Sequence, residues 1–170
     1  LAAAARGAGL GLLLDIVPNH MSIAGRGNRW WLDVLENGPA SPYAHFFDVD
    51  WHGGEADRVL LAVLGERYGQ AIASGVIRIE HDAHGRFAVR AHEADLPLAP
   101  RALGAIVRRA GERIGHAELT FVGETLAALL PEGGAPDERR RRHRARRVLA
   151  ARLAALSGDP ACSAALADEV

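Results

Sequence analysis

The chain has no lysine. All 20 of its basic residues are arginine, set against 21 acidic residues for a formal net charge of -1. A balance this close to zero gives no electrostatic case for a nucleic-acid or membrane partner. Cys162 is the sole cysteine, which excludes an internal disulfide and fits a reducing, cytoplasmic setting. No apolar run reaches the roughly 18 to 20 residues that span a bilayer, and no signal peptide is visible. Aromatic residues make up only 5% of the chain. With the heavy use of alanine and glycine, the missing lysine reads as a genomic composition bias rather than a functional signal.

Against that background the run Leu10-Gly-Leu-Leu-Leu-Asp15-Ile-Val-Pro-Asn19-His20-Met21 stands out. A continuous apolar stretch that ends in polar residues predicts a buried parallel strand over about Leu10 to Val17. Pro18 stops it. Asp15, Asn19 and His20 then fall at the strand's C-terminal end and in the loop beyond, where barrels and open α/β sheets mount ligand groups. A second concentration follows. Trp30, Trp31, Tyr43, Phe46, Phe47 and Trp51 lie within 22 residues. Sugar rings stack their apolar faces on aromatic side chains, so such a cluster suits a glucan cleft. About two of the six are expected to touch sugar and the rest to form a local core. Glu36, Asn37, His45, Asp48 and Asp50 supply polar groups beside them.

The spacing Asp-x-x-x-Asn-His resembles the first signature segment of the α-amylase superfamily, glycoside hydrolase family 13. The stretch from Asn28 to Trp51, and above all Trp30-Trp31-Leu-Asp33-Val-Leu-Glu36-Asn37-Gly38, resembles the maltooligosyl trehalose synthase branch of that superfamily. The likeness continues more weakly through Leu60 to Gly65 and Asp95 to Pro100, then along arginine-rich helices to about Leu156. It implies part of a (β/α)8 TIM barrel: residues 1-21 around the third strand, and residues 22-170 as a largely helical inserted subdomain with a small β-hairpin. A complete barrel takes about 250 residues, so the 170 residues here are expected to be an internal piece of a longer enzyme.

The resemblance also implies roles. His20 would hydrogen-bond a hydroxymethyl oxygen of the sugar just before the scissile bond; its other reading is a residue that packs the loop. Asp15 would organise charged groups of the same subsite or serve in a structural salt bridge. Asn19 matches a calcium ligand of some amylases, but no amylase-like set of further ligands accompanies it, and no metal is expected. Trp30, Trp31, Tyr43 and Trp51 are the aromatic candidates for the maltooligosaccharide. No cofactor is implied, because a glycosyl-enzyme intermediate stores the bond energy. The nucleophile and acid/base carboxylates are expected outside this chain. Leu119-Thr-Phe-Val-Gly-Glu124 imitates a strand ending in a catalytic glutamate, yet Leu119, Val122, Leu126, Leu129 and Leu130 share one helical face. Glu124 is therefore read as structural. Other glucan hydrolases, or a non-catalytic carbohydrate-binding module, are the alternatives.

Elsewhere the pattern is helical. Helices are predicted at Ala2 to Arg6, Arg29 to Glu36, Tyr68 to Ala73, Arg101 to Ile114, Ala117 to Leu130 and Glu138 to Leu156. Asp159-Pro160 opens another. His84-Gly85 between alternating segments signals a hairpin. The run Arg139 to Arg147 invites a nucleic-acid reading, but a solvated helix face balanced by acids elsewhere is the better one.

Overall fold

A computed structural model describes residues 1-15, 21-23, 26-51, 59-82, 84-129 and 136-170. Its centre is a helical hairpin. Helix α4 (Pro100–Ile114) and helix α5 (Ala117–Ala127) are joined at Gly115, whose φ of 66° makes the reversal. His116 then caps α5, its Nδ1 accepting from the amide of Leu119 at 3.1 Å. The apolar stripe of α4, Leu103, Ile106, Val107 and Ala110, packs against Leu119, Val122 and Leu126 of α5. The predicted stripe ends one turn early, and Ile114 is 40% exposed, because the chain reverses there and no helix face remains opposite it.

Two further helices complete this core. Helix α6 (Pro136–Leu156) brings in Leu149 and Leu153, and helix α7 (Pro160–Ala167) brings in Cys162 and Leu166. Asp159 accepts from the amides of Ala161 and Cys162 at 2.9 and 3.0 Å, the cap that its position before Pro160 predicts. Glu124 is exposed on α5, so Leu119 to Glu124 is helix and not strand.

Beside the helices lies a three-stranded antiparallel meander of β1 (Ile77–His81), β2 (Phe87–Ala91) and β3 (Ala94–Pro97). The first turn is the predicted hairpin. Gly85 has a φ of 72°, and Asp82 Oδ1 accepts from the amides of His84 and Arg86, each at 3.0 Å. β3 was not predicted. Its turn is His92-Glu93, with His92 itself at a φ of 50° and none of the Gly or Asn residues that announce such turns. Phe87 and Leu98 seal the sheet onto the helical core.

The N-terminal third is looser. After α1 (Ala2–Gly7), residues 10-15 run without strand pairing, and Leu13 is 97% exposed. A parallel strand buries both faces only between neighbouring strands, and the strands described here pair with one another. Ile16 to His20, the rest of that predicted strand and its loop, lie outside the described residues, as do Leu130 and most of the predicted 132-137 linker. Helix α2 (Arg29–Asn37) is capped by Asn28, whose Oδ1 accepts from the Trp31 amide at 3.0 Å. Helix α3 (Tyr68–Ala73) precedes the sheet.

The α4–α5 contact is made backbone to backbone. A Cβ on Gly104 would sit 2.6 Å from the Gly123 carbonyl oxygen, and one on Gly123 would sit 2.6 Å from the Arg108 Cα. Replacing a mid-helix glycine by alanine ordinarily stabilises by about 0.5–1 kcal/mol. Here the sign reverses: Gly104→Ala and Gly123→Ala are each expected to lose roughly 1–3 kcal/mol through overpacking. Gly69→Ala, with nothing near it, should leave stability unchanged or slightly raised. Denaturant midpoints of the three variants check the contrast.

Candidate functional site

Helix α2 carries different chemistry on different faces, because successive residues point about 100° apart. Trp30 is 44% exposed. Its indole stacks with Tyr43 at 5.5 Å and 9°, and with Phe46 at 5.2 Å and 20°. The His45 ring lies 4.1 Å from that of Phe46. Trp31 turns inward, only 7% exposed, and packs on Phe47 at 5.0 Å. The aromatic cluster therefore divides into an open platform of Trp30, Tyr43 and Phe46 and a local core of Trp31 and Phe47.

The segment that returns Tyr43 to Trp30 is held by one buried hydroxyl. Ser41 Oγ donates to Asp33 Oδ1 at 2.6 Å and accepts from the Tyr43 amide at 3.1 Å. Asn37 donates to the Asp33 carbonyl at 3.2 Å. The platform is thus positioned by α2's own polar residues.

Toward α6 the same helix presents two carboxylates. Asp33 Oδ2 lies 3.5 Å from His143 Nδ1, and Glu36 pairs with Arg146. Arg142 reaches the same place, its Nε and Nη1 buried with no hydrogen-bond partner. Burial pushes the Glu36 carboxyl above its ordinary range, opposed by Arg146 and reinforced by Asp33. Burial likewise lowers the Arg142 guanidinium, opposed by Asp33 and Glu36.

Besides a cavity of about 470 Å³ at Met21, Asn28, Arg29 and Trp30, three more adjoin this helix. One of about 790 Å³ is lined by Trp51, Glu36 and Arg142 together with apolar residues of α2, β3 and the start of α4. A second, of about 310 Å³, is rimmed by Arg26, Glu36, Asp95 and Arg146 over Leu32, Phe87 and Leu153. A third, of about 370 Å³, takes in Trp31, Leu61 and His92. Asp95 is a second buried charge centre: Arg26 Nη1 donates to it at 2.5 Å, with Arg90 and Arg86 at 3.8 and 3.9 Å.

The structure thus gathers Trp30 with Tyr43 and places Trp51 in the large cavity, while Trp31 is core. Asp15 is exposed and lines none of these three cavities. Asn19 and His20 lie outside the described residues. Sequence reasoning missed the link from α2 to α6. Its signal was available: acids at 33 and 36 share one helix face, and bases at 142, 143 and 146 share another. The arginine run is a solvated face only in part, with Arg140, Arg141, Arg144 and Arg147 exposed and Arg146 turned onto Glu36. Among the described residues, no three His, Cys, Asp or Glu side chains form a metal-sized group, and no helix is long and apolar enough to cross a membrane.

Comparison with known proteins adds a partial likeness. Two relatives, from Mycobacterium tuberculosis strains CDC 1551 / Oshkosh and ATCC 25618 / H37Rv, are 41% identical to this chain over 101 residues. Each is carried under the name "Putative maltooligosyl trehalose synthase". The match covers 59% of this chain and 12% of each relative's length. No protein-family model matches the chain, and no solved structure does.

The Glu36–Arg146 pair yields a pH-dependent prediction. A raised folded-state pKa means that Glu36 favours folding when protonated, and that this contribution is lost as pH rises through the raised value. Arg146 offsets the loss. Arg146→Met should therefore destabilise by roughly 3–5 kcal/mol at neutral pH, the range for one partner of a buried pair. The difference from wild type should shrink toward pH 4. Denaturation of both proteins across that range tests it, and a deficit independent of pH would mean that Glu36 is not the cause.

Proposed function

We propose that this chain is a segment of a maltooligosyl trehalose synthase of the α-amylase superfamily. Such an enzyme converts the reducing-end α-1,4 bond of a maltooligosaccharide to an α,α-1,1 bond by intramolecular transglucosylation. The observation that carries the reading is the 41% identity over 101 residues to proteins bearing that name. The aromatic motif from Asn28 to Trp51 and the Asp15-x-x-x-Asn19-His20 spacing support it. On this reading residues 10-17 form a barrel strand once flanked by parallel neighbours, and residues 22-170 are an insertion beside the glucan cleft.

The chemistry explains what such an insertion contributes. Retaining transfer uses two carboxylates about 5–5.5 Å apart, one as nucleophile and one as acid/base. The glycosyl-enzyme intermediate must then meet the sugar's own hydroxyl before it meets water. A cap over the cleft that excludes solvent favours rearrangement over hydrolysis. The Trp30, Tyr43 and Phe46 platform offers the stacking surface for a glucosyl ring. No cofactor enters this scheme, and the nucleophile and acid/base belong to other parts of the longer enzyme.

A product assay on the complete enzyme with maltopentaose tests the proposal. Non-reducing glycosyl-trehalose is the expected product, whereas new reducing ends would make the enzyme a glucan hydrolase. The 170-residue chain alone should release neither. Trehalose-unit formation by the chain alone, abolished by Glu124→Gln, would overturn the placement of the catalytic carboxylates.

His20 provides a sharper test in the complete enzyme. A hydrogen bond to the sugar that tightens in the oxocarbenium-like transition state should be lost in His20→Ala. The expected drop in kcat/KM is about 5- to 150-fold, part of it in kcat. His20→Asn should recover some of the activity, since an amide still donates. Unchanged kinetics with a large fall in Tm would make His20 a packing residue.

A further inference from the structure

We propose that Asp33, Ser41 and, from the distant helix α6, His143 are positioning residues that set Tyr43 against Trp30, so that the stacking surface is aligned from the helical core. This rests on the reading of the Trp30 platform as a surface for glucosyl rings. It adds residues that touch no sugar themselves.

The geometry runs through one carboxylate. Asp33 Oδ1 accepts from Ser41 Oγ at 2.6 Å, and Ser41 Oγ accepts in turn from the Tyr43 amide at 3.1 Å. The other oxygen, Asp33 Oδ2, lies 3.5 Å from His143 Nδ1. Tyr43 then stands beside the Trp30 indole at 5.5 Å and 9°. Each link shares a residue with the next, from α6 out to the platform.

Burial gives the chain of contacts its force. Ser41 is only 2% exposed, so its hydroxyl finds its partners in the protein. Its single proton goes to Asp33, which leaves a lone pair for the Tyr43 amide. Removing either partner would strand a buried polar group at its full desolvation cost. Apolar packing holds this segment only weakly. The two short turns that flank Tyr43, Gly38–Ala40 and Ala44–Phe46, bury only Ala40 between them. Phe47 anchors the far end on Trp31, which leaves Ser41 as the tie next to Tyr43.

His143 does the same for the carboxylate. An Asp33 held by Ser41 alone could turn its second oxygen toward water, and His143 stands in that place. The charge of Arg142 acts on the same carboxylate. The consequence for the reaction is specific, because stacked rings favour set distances and angles. A Tyr43 tilted away from Trp30 would lose shared surface for the sugar, while catalytic carboxylates elsewhere in the longer enzyme would be untouched. The loss should therefore fall on KM and not on kcat.

The test uses the complete enzyme labelled with 5-fluorotryptophan, the Trp30 signal being identified by its loss in Trp30→Phe. Ser41→Ala and His143→Ala should each shift that 19F signal. His143→Gln, which can still donate to Asp33, should return it toward wild type. Arg152→Ala removes an exposed cation of α6 that pairs with Glu118 instead, and it should leave the signal in place. With maltopentaose, Ser41→Ala should raise KM about 2- to 12-fold with little change in kcat, the range for losing one ring–ring contact. Adding His143→Ala should raise KM no further, because groups that act through one carboxylate do not add. If Ser41→Ala fails to fold, Ser41→Cys keeps the volume with a weaker donor and should give the same changes in smaller measure. A Trp30 signal unmoved by Ser41→Ala, or moved equally by Arg152→Ala, would overturn the proposal. So would a shifted signal with unchanged KM. A complete enzyme that leaves maltopentaose untouched would end the glucan reading itself, with the 19F signal still deciding whether Ser41 and His143 hold Tyr43.

Discussion

The close approach of α4 and α5 is the constraint from which the rest of the molecule is built. Gly104 and Gly123 remove the side chains that would hold the two backbones apart, so Leu103, Val107, Leu119 and Val122 meet in a dry layer. That layer is what α6 and α7 cover from outside and what Phe87 and Leu98 cover from the sheet. Glycine in a helix sacrifices propensity. Here the loss is offset by dispersion contacts that a wider interhelical spacing would forfeit.

The platform depends on that core indirectly, through charge. α2 adds only Trp31 and Val34 as buried apolar anchors along its length, too few to fix its orientation alone. Packing against β3 and the meeting of Asp33 and Glu36 with His143 and Arg146 on α6 supply the rest. Both carboxylates lose solvent in doing so, and the raised pKa of Glu36 records that cost. Buried pairs of this kind contribute little net stability. They do discriminate strongly between registers, since sliding α6 by one residue would bury a carboxylate without its partner.

The helices and the first hairpin were legible because local chemistry specifies them. Asn28, His116 and Asp159 are caps, Gly115 and Gly85 supply positive φ, and the stripe of α4 repeats at helical spacing. β3 was not legible, because its turn uses His92 and Glu93, which carry no turn signature. The aromatic cluster was visible as a cluster, but its division into platform and core was not. Trp31 shares its helix face with buried Val34, and the placement of Phe47 and the Ser41–Asp33 hydrogen bond fit that arrangement, with Trp30 on the outer side. Long-range partners such as Glu36 and Arg146, 110 residues apart, show in a short window only as acids on one helix face or bases on another, with nothing local to join the two.

The absence of lysine takes on structural meaning once α6 is seen in place. An ammonium at position 146 would be a strongly hydrated point charge, costly to bring beside a half-dry carboxylate. The planar guanidinium is more weakly hydrated and distributes its donors across a fork. It can therefore sit against Glu36 while its stem covers apolar surface. Arg142 shows the other side of the same property: a guanidinium buried with donors unspent remains protonated, where a lysine could shed its proton to relieve burial. The chain's all-arginine set of basic residues thus leaves this helix with cations that stay charged inside the protein. The site that results combines fixed charge with unmet hydrogen-bonding capacity, beside aromatic faces that need no charge to bind.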